Sequence, residues 1–152
     1  MKLHTILGAG GNIGTGLARK LAESSHPVRW VGRNPKPMGS PGEWQKVDLL
    51  EADQVIDAVK GSTIAYLVAG ITYRTKIWET QWPIIMKNVI AACKIHESRL
   101  VFFDNMYAYD PAEVGGLSEG TPVRPKSRKG AVRAAIAQLL LDEIEKGQLT
   151  AM

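Results

Sequence analysis

Short apolar runs alternate along this chain with stretches in which apolar positions return every three or four residues. Leu3 to Leu7 reads as a strand, and Ile13, Leu17 and Leu21 behind it share one face of a helix from about Asn12 to Ser25. Pro27 ends that helix, because the residue before a proline avoids helical backbone. Val28 to Val31 and Trp44 to Val47 read as further strands, joined by a Pro- and Gly-rich loop from Gly32 to Gly42. Val55, Ile56 and Val59 line one face of a helix over roughly Glu51 to Lys60, and Gly61 caps it. Thr63 to Ala69 is a continuous apolar strand of the kind buried on both faces of a parallel sheet. A long helix is expected to open near Pro83 and run to about His96, since proline is tolerated in a first turn. Leu100 to Phe103 is a fifth strand, and Ile136, Leu139, Leu140 and Ile144 mark a last helix from about Gly130 to Lys146. This alternation predicts an α/β fold, a doubly wound parallel sheet in the order 3-2-1-4-5 with helices on both faces. Its ligand crevice would lie at the carboxyl ends of strands 1 and 4, where the winding reverses.

Composition narrows the function classes. At 152 residues, with 45% apolar and 22% charged residues, the chain has the size and balance of one globular domain. The net charge of +4 is not gathered into a dense block, so it points to anionic small molecules and not to nucleic acid, which would need a basic stripe. The single cysteine, Cys93, excludes an internal disulfide and suits a reducing cytosol. His4, His26 and His96 are scattered without ligand spacing, so no metal site is expected. No targeting segment or membrane-spanning stretch is apparent, and a cytoplasmic, soluble protein is expected.

The chemistry concentrates where the first strand runs into Gly8-Ala-Gly10-Gly11-Asn12-Ile13-Gly14. Glycine there permits a tight turn and lets a pyrophosphate approach the amides of a helix start, where the dipole favours negative charge. The spacing Gly8-x-x-Gly11-x-x-Gly14 is met, with Ile13 where the literal dinucleotide fingerprint places a third glycine. A Walker loop is disfavoured, since Gly14 precedes Thr15-Gly16 and not Lys-Ser/Thr. At the end of the second strand stand Gly32 and Arg33, with Lys36 nearby, where an acidic residue would bind the ribose of NAD and a cation the 2′-phosphate of NADP. NADP is therefore the preferred cofactor expected, with NAD as the alternative.

These residues together resemble the short-chain dehydrogenase/reductase superfamily in its extended or atypical branch, the NAD-dependent epimerase/dehydratase type, over essentially the whole chain. The resemblance implies a Rossmann-type NAD(P)-binding domain across residues 1–152. Gly8, Gly11 and Gly14 match its glycine spacing, and Gly32-Arg33-Asn34-Pro35 is similar to the strand end of atypical members. By the same resemblance Asp48-Leu49 contacts the adenine and Ala69-Gly70 leaves room for the ribose. Asn105-Met-Tyr-Ala-Tyr109 resembles the Ser-x-x-Val-Tyr segment, and Glu119-Gly-Thr-Pro122 the Glu-x-x-Pro loop. The cofactor-binding set expected is thus Gly8, Gly10, Gly11, Asn12, Ile13, Gly14, Arg33, Asp48, Leu49, Ala69 and Gly70.

The chain departs from the family in its catalytic residues and its length. The family uses a tyrosine with a lysine four residues on, which lowers the phenol's pKa. None of Tyr66, Tyr73, Tyr107 or Tyr109 has that lysine; by position the pair falls near Lys129 and Arg133, and Asn105 holds the supporting Ser/Thr position. Catalytic residues therefore stay unknown. Members of the branch run to about twice this length, and Gln148 to Met152 reads as the start of a sixth strand. A truncated or degenerate chain without its C-terminal substrate region is expected, and the apolar surface left exposed suggests a homodimer. If active, it would act on a small carbonyl or sugar-nucleotide-like molecule. The alternative is a non-catalytic NADP-binding redox sensor acting through a protein partner. A third reading, an S-adenosylmethionine-dependent methyltransferase, is disfavoured by Arg33. Tyr107 and Tyr109 follow a strand that ends at the crevice and are candidates to touch nicotinamide or substrate, with loop packing as the other reading.

Overall fold

The structure, a computed structural model, describes residues 2–34 and 42–152. Five strands form one parallel sheet in the order β3-β2-β1-β4-β5: β1 is Leu3–Leu7, β2 Val28–Gly32, β3 Glu43–Lys46, β4 Ser62–Leu67 and β5 Arg99–Phe102. The helices are α1 (Asn12–Glu23), α2 (Ala52–Val59), α3 (Thr75–Ile95) and α4 (Arg128–Glu145). The predicted strand order and parallel direction are those observed.

The two faces of the sheet are covered unequally among the described residues. Ala18 and Leu21 of α1 bury Ile6, Val28 and Trp30 on one face. The other face carries α2, α3 and α4 and a larger core around Leu7, Val31, Ala65, Leu67 and Leu100. That asymmetry follows from right-handed crossovers: the winding reverses at β1, so α2, α3 and α4 all return on the same side.

Element boundaries differ from the sequence reading in instructive ways. Helix α3 starts at Thr75, eight residues before Pro83, and the proline sits inside it. Trp78, Trp82, Ile85, Met86 and Val89 are buried along it, and this stripe outweighs the helix hydrogen bond that proline cannot make. Strand β3 is shifted one residue earlier, and β4 stops at Leu67 so that Val68 to Gly70 leave the sheet. Helix α1 ends at Glu23 and not Ser25, with Ser25 taking a positive φ of 57°. The segment after Asp104 contains two short 3-10 turns, Met106–Ala108 and Pro111–Gly116.

Beyond α4 the chain returns to the sheet. Ala151 lies parallel to Leu100, Leu100 N–H donates to Thr150 at 2.9 Å, and Phe102 N–H donates to Met152 at 2.9 Å. The expected start of a sixth strand is therefore present as a parallel bridge on the outer edge of β5. No helix among the described residues is long and apolar enough to cross a membrane.

Candidate dinucleotide site

The turn after β1 is shaped by two glycines for two different reasons. Gly8 has φ +99°, and a Cβ there would lie 2.3 Å from the Ala69 Cα. Its backbone N–H and that of Ala9 both donate to the Val31 carbonyl, at 2.9 and 3.0 Å, which ties the turn to the end of β2. Gly14 lies one helical turn further on, buried, and a Cβ there would stand 2.8 Å from the Ala9 Cα. It lets α1 sit down on the turn. Gly11, by contrast, would bring a Cβ no nearer than 3.9 Å to anything described, so its missing side chain leaves open space in front of the helix start. Gly11 is also the N-cap of α1, with no side-chain cap and no acidic residue in the first turn. Those first amides are free of a built-in anion.

A cavity of about 390 Å³ opens at the carboxyl ends of the strands around this turn. Of the expected residues it brings together Gly8, Gly10, Gly11, Arg33, Asp48, Leu49, Ala69 and Gly70. Asn12, Ile13 and Gly14 do not line it: the first two are exposed at the opening of α1, and the third packs beneath. Lys36, expected beside Arg33, falls outside the described residues. Gly32, Asn34, Val47, Leu50, Ile71, Gln81 and Ile85 complete the lining. Gln81 and Ile85 are one helical turn apart on α3, and Gln81 lies before the helix start that the sequence predicts at Pro83.

Asp48 is held by its own loop. Its Oδ1 accepts the Leu50 N–H at 3.0 Å, and its backbone N–H donates to Gln54 Oε1 at 2.9 Å. Arg33 is exposed at the rim, and no hydrogen bond from its side chain is seen among the described residues. No group of histidine, cysteine and carboxylate residues able to hold a metal is found among the described residues. Cys93 is fully buried, and burial pushes its thiol up to about 12, which leaves it inert.

Beyond the Ile71 end of the cavity the chain assembles a second group, made of side chains. Lys129 puts its ammonium 3.2 Å from the centre of the Tyr73 ring. Tyr73 donates its hydroxyl hydrogen to the Tyr107 hydroxyl at 3.1 Å, in the orientation that the geometry gives. Arg133 is only 2% exposed; it is paired with Asp104 and stacked near Trp82 and Phe102. Asn105 accepts the Tyr107 N–H at 3.0 Å and so caps the turn. Tyr109 pairs instead with Val123 in an antiparallel bridge.

Comparison with known proteins agrees with this geometry. A model of the NAD(P)H-binding family matches residues 8–139. Among curated proteins the sequence has no significant match. Uronate dehydrogenase from Agrobacterium tumefaciens is similar in structure, with 25% identity and a TM-score of 0.84 over 97% of this chain and 58% of that one. A mutant of that enzyme complexed with NAD aligns at 26% identity and a TM-score of 0.82 over 97% of this chain and 58% of that one. A short-chain dehydrogenase/reductase superfamily protein from the same organism, with bound NAD, shares the fold at 19% identity and a TM-score of 0.82, over 98% of this chain and 47% of that chain. The chain thus spans about half to three-fifths of these structures. With a glycine turn feeding an uncapped helix, a parallel sheet in the order 3-2-1-4-5 and a family match over most of its length, the chain belongs to the NAD(P)H-binding family.

Proposed function

We propose that the cavity at the carboxyl ends of β1, β2 and β4 holds a nicotinamide dinucleotide, and that the chain is the dinucleotide-binding part of a dehydrogenase- or epimerase-type protein. One observation carries this: eight of the eleven residues expected from the sequence meet in a single cavity, although they come from four separate segments. The residues also fit the group. Gly11 leaves space where a side chain would block a pyrophosphate, and the uncapped α1 offers amides to it. Leu49 and the Asp48 loop would hold the adenosine end, Arg33 a 2′-phosphate, and Ala69-Gly70 the ribose. When bound, the dinucleotide supplies hydride chemistry, which calls for a substrate with a carbonyl or a secondary alcohol. Uronic acids and nucleotide sugars are the small molecules this reading favours, in the cytoplasm and in a homodimer. A light-scattering mass of one chain at high concentration would remove the dimer.

The test is a titration of the folded chain with NADPH and NADH, followed by nucleotide fluorescence and melting temperature, since a ligand that binds only the native state raises the latter. NADPH is expected to bind more tightly than NADH. Arg33→Asp should weaken NADPH at least tenfold, about 1.4 kcal/mol, with NADH unchanged and the ligand-free melting temperature kept. Equal affinities in both proteins would take Arg33 out of the site, and no binding of either nucleotide would sink the reading.

A further inference from the structure

By the resemblance the family's phenol falls near Lys129, and two other phenols meet beside that lysine. Tyr73 follows Ile71, a lining residue of the cavity, by two positions, and Tyr107 lies in the turn that leaves β5. Their hydroxyls are 3.1 Å apart and both residues are exposed, Tyr73 at 62% and Tyr107 at 41%.

Tyr107 is fixed from three sides. Asn105 accepts its N–H, its ring lies 5.9 Å from that of Trp78, and its carbonyl is pressed against Gly130, where an added Cβ would come within 2.2 Å. The turn is therefore clamped to the first turn of α4, which also carries Lys129. Trp78 packs edge-on against Tyr73, at 5.6 Å and 88°. A flexible surface tyrosine has none of these restraints. This pair is exposed and yet positioned.

We infer that Tyr107 is the proton-exchanging phenol of this site, with Tyr73 as its hydrogen-bonded relay and Lys129 as the cation that holds the relay in place. The inference rests on the dinucleotide reading above. In the reducing direction the carbonyl carbon gains hydride from the reduced dinucleotide, and the electron pair of the broken π bond moves to the carbonyl oxygen. That oxygen takes the proton of the Tyr107 O–H bond. Tyr107 recovers a proton from Tyr73, and Tyr73 from solvent. Oxidation of an alcohol runs the same steps backwards.

Two measurements test this. Tyrosinate absorbance near 295 nm is titrated in the intact chain and in Tyr73→Phe, Tyr107→Phe and Lys129→Met, with circular dichroism checking the fold. Lys129→Met is expected to move the tyrosinate titration to higher pH, because an ammonium close to the pair favours the phenolate; an unmoved titration overturns the coupling. Turnover is then read with D-glucuronate plus NAD or NADP, and with 9,10-phenanthrenequinone plus NADPH. Tyr107→Phe should lower kcat at least a hundredfold with nucleotide affinity kept, Tyr73→Phe should lower it less and displace the pH profile, and Lys129→Met should displace it in the same sense as the absorbance. Unchanged kcat in Tyr107→Phe, or no turnover of either probe by a wild-type chain that binds nucleotide, overturns the proposal while leaving the dinucleotide reading intact. Absence of nucleotide binding overturns both.

Discussion

The floor of the cavity and its mouth are built by opposite means. The floor, from Gly8 to Gly11 with Gly14 packed beneath, is backbone: glycines set the turn, the carbonyl of Val31 fixes it, and open space is the feature that matters. The mouth, around Tyr73, Tyr107, Lys129 and the Asp104–Arg133 pair, is made of long side chains drawn from three distant segments. A backbone site is tolerant of what surrounds it and intolerant of any added atom. A side-chain site can be reassigned residue by residue while its place in the fold stays the same.

The strongest blow to the floor is Gly8→Ala. The new methyl would meet the Ala69 backbone at 2.3 Å in a φ region costly for alanine, so a loss of about 3 kcal/mol or more and of nucleotide binding is expected in chemical denaturation and fluorescence. Gly11→Ala, with open space, should keep stability within about 1 kcal/mol while lowering nucleotide affinity; equal effects at both glycines would dissolve the distinction.

Near that side-chain group, Arg133→Met should cost about 2–3 kcal/mol, since it strips the partner from the Asp104 carboxylate and takes the guanidinium off the Trp82 ring. Asp104 is partly exposed, which holds the loss below that of a fully buried pair. A stability unchanged in urea would show that the ion pair contributes nothing and that only packing fills the position.

The smallest effect is expected at the opposite end of the sheet, where His4 donates to or accepts from the Tyr66 hydroxyl at 2.9 Å and stacks on His26 at 4.6 Å. Burial first, then the charges of His26 and Lys2, lower the His4 pKa. A histidine with a lowered folded pKa binds fewer protons folded than unfolded. Its contribution is therefore intact above the ordinary histidine range and falls as pH drops through that range towards the folded value. The melting temperature should decline from pH 8 to pH 5, and His4→Gln should flatten part of that decline. An identical slope in the variant would assign it to other groups.

Much of the floor was legible because glycine spacing and strand periodicity are local. Gly8 and Gly14 had no substitutes in a tight turn, so the residues announced the geometry. The start of α3 was misplaced because Pro83 is a strong local sign of a first turn, whereas Trp78, Trp82 and Ile85 pack against partners far away in sequence. The mouth was hidden for the same reason. Nothing near Arg133 in sequence names Asp104, 29 residues away, and the Tyr73–Tyr107 contact spans 34.

The position of β1 also sets an order of events during synthesis. Its residues pair with β2 on one side and with β4 on the other, and the Thr5 hydroxyl meets that of Ser62 at 2.5 Å. Between Leu7 and Ser62 a ribosome working at 5–20 residues per second needs roughly 3–11 s. For that interval the strand that will become the centre of the sheet is a bare edge, open to any extended segment that reaches it first. A chaperone that shields nascent edges would serve this protein most in those seconds.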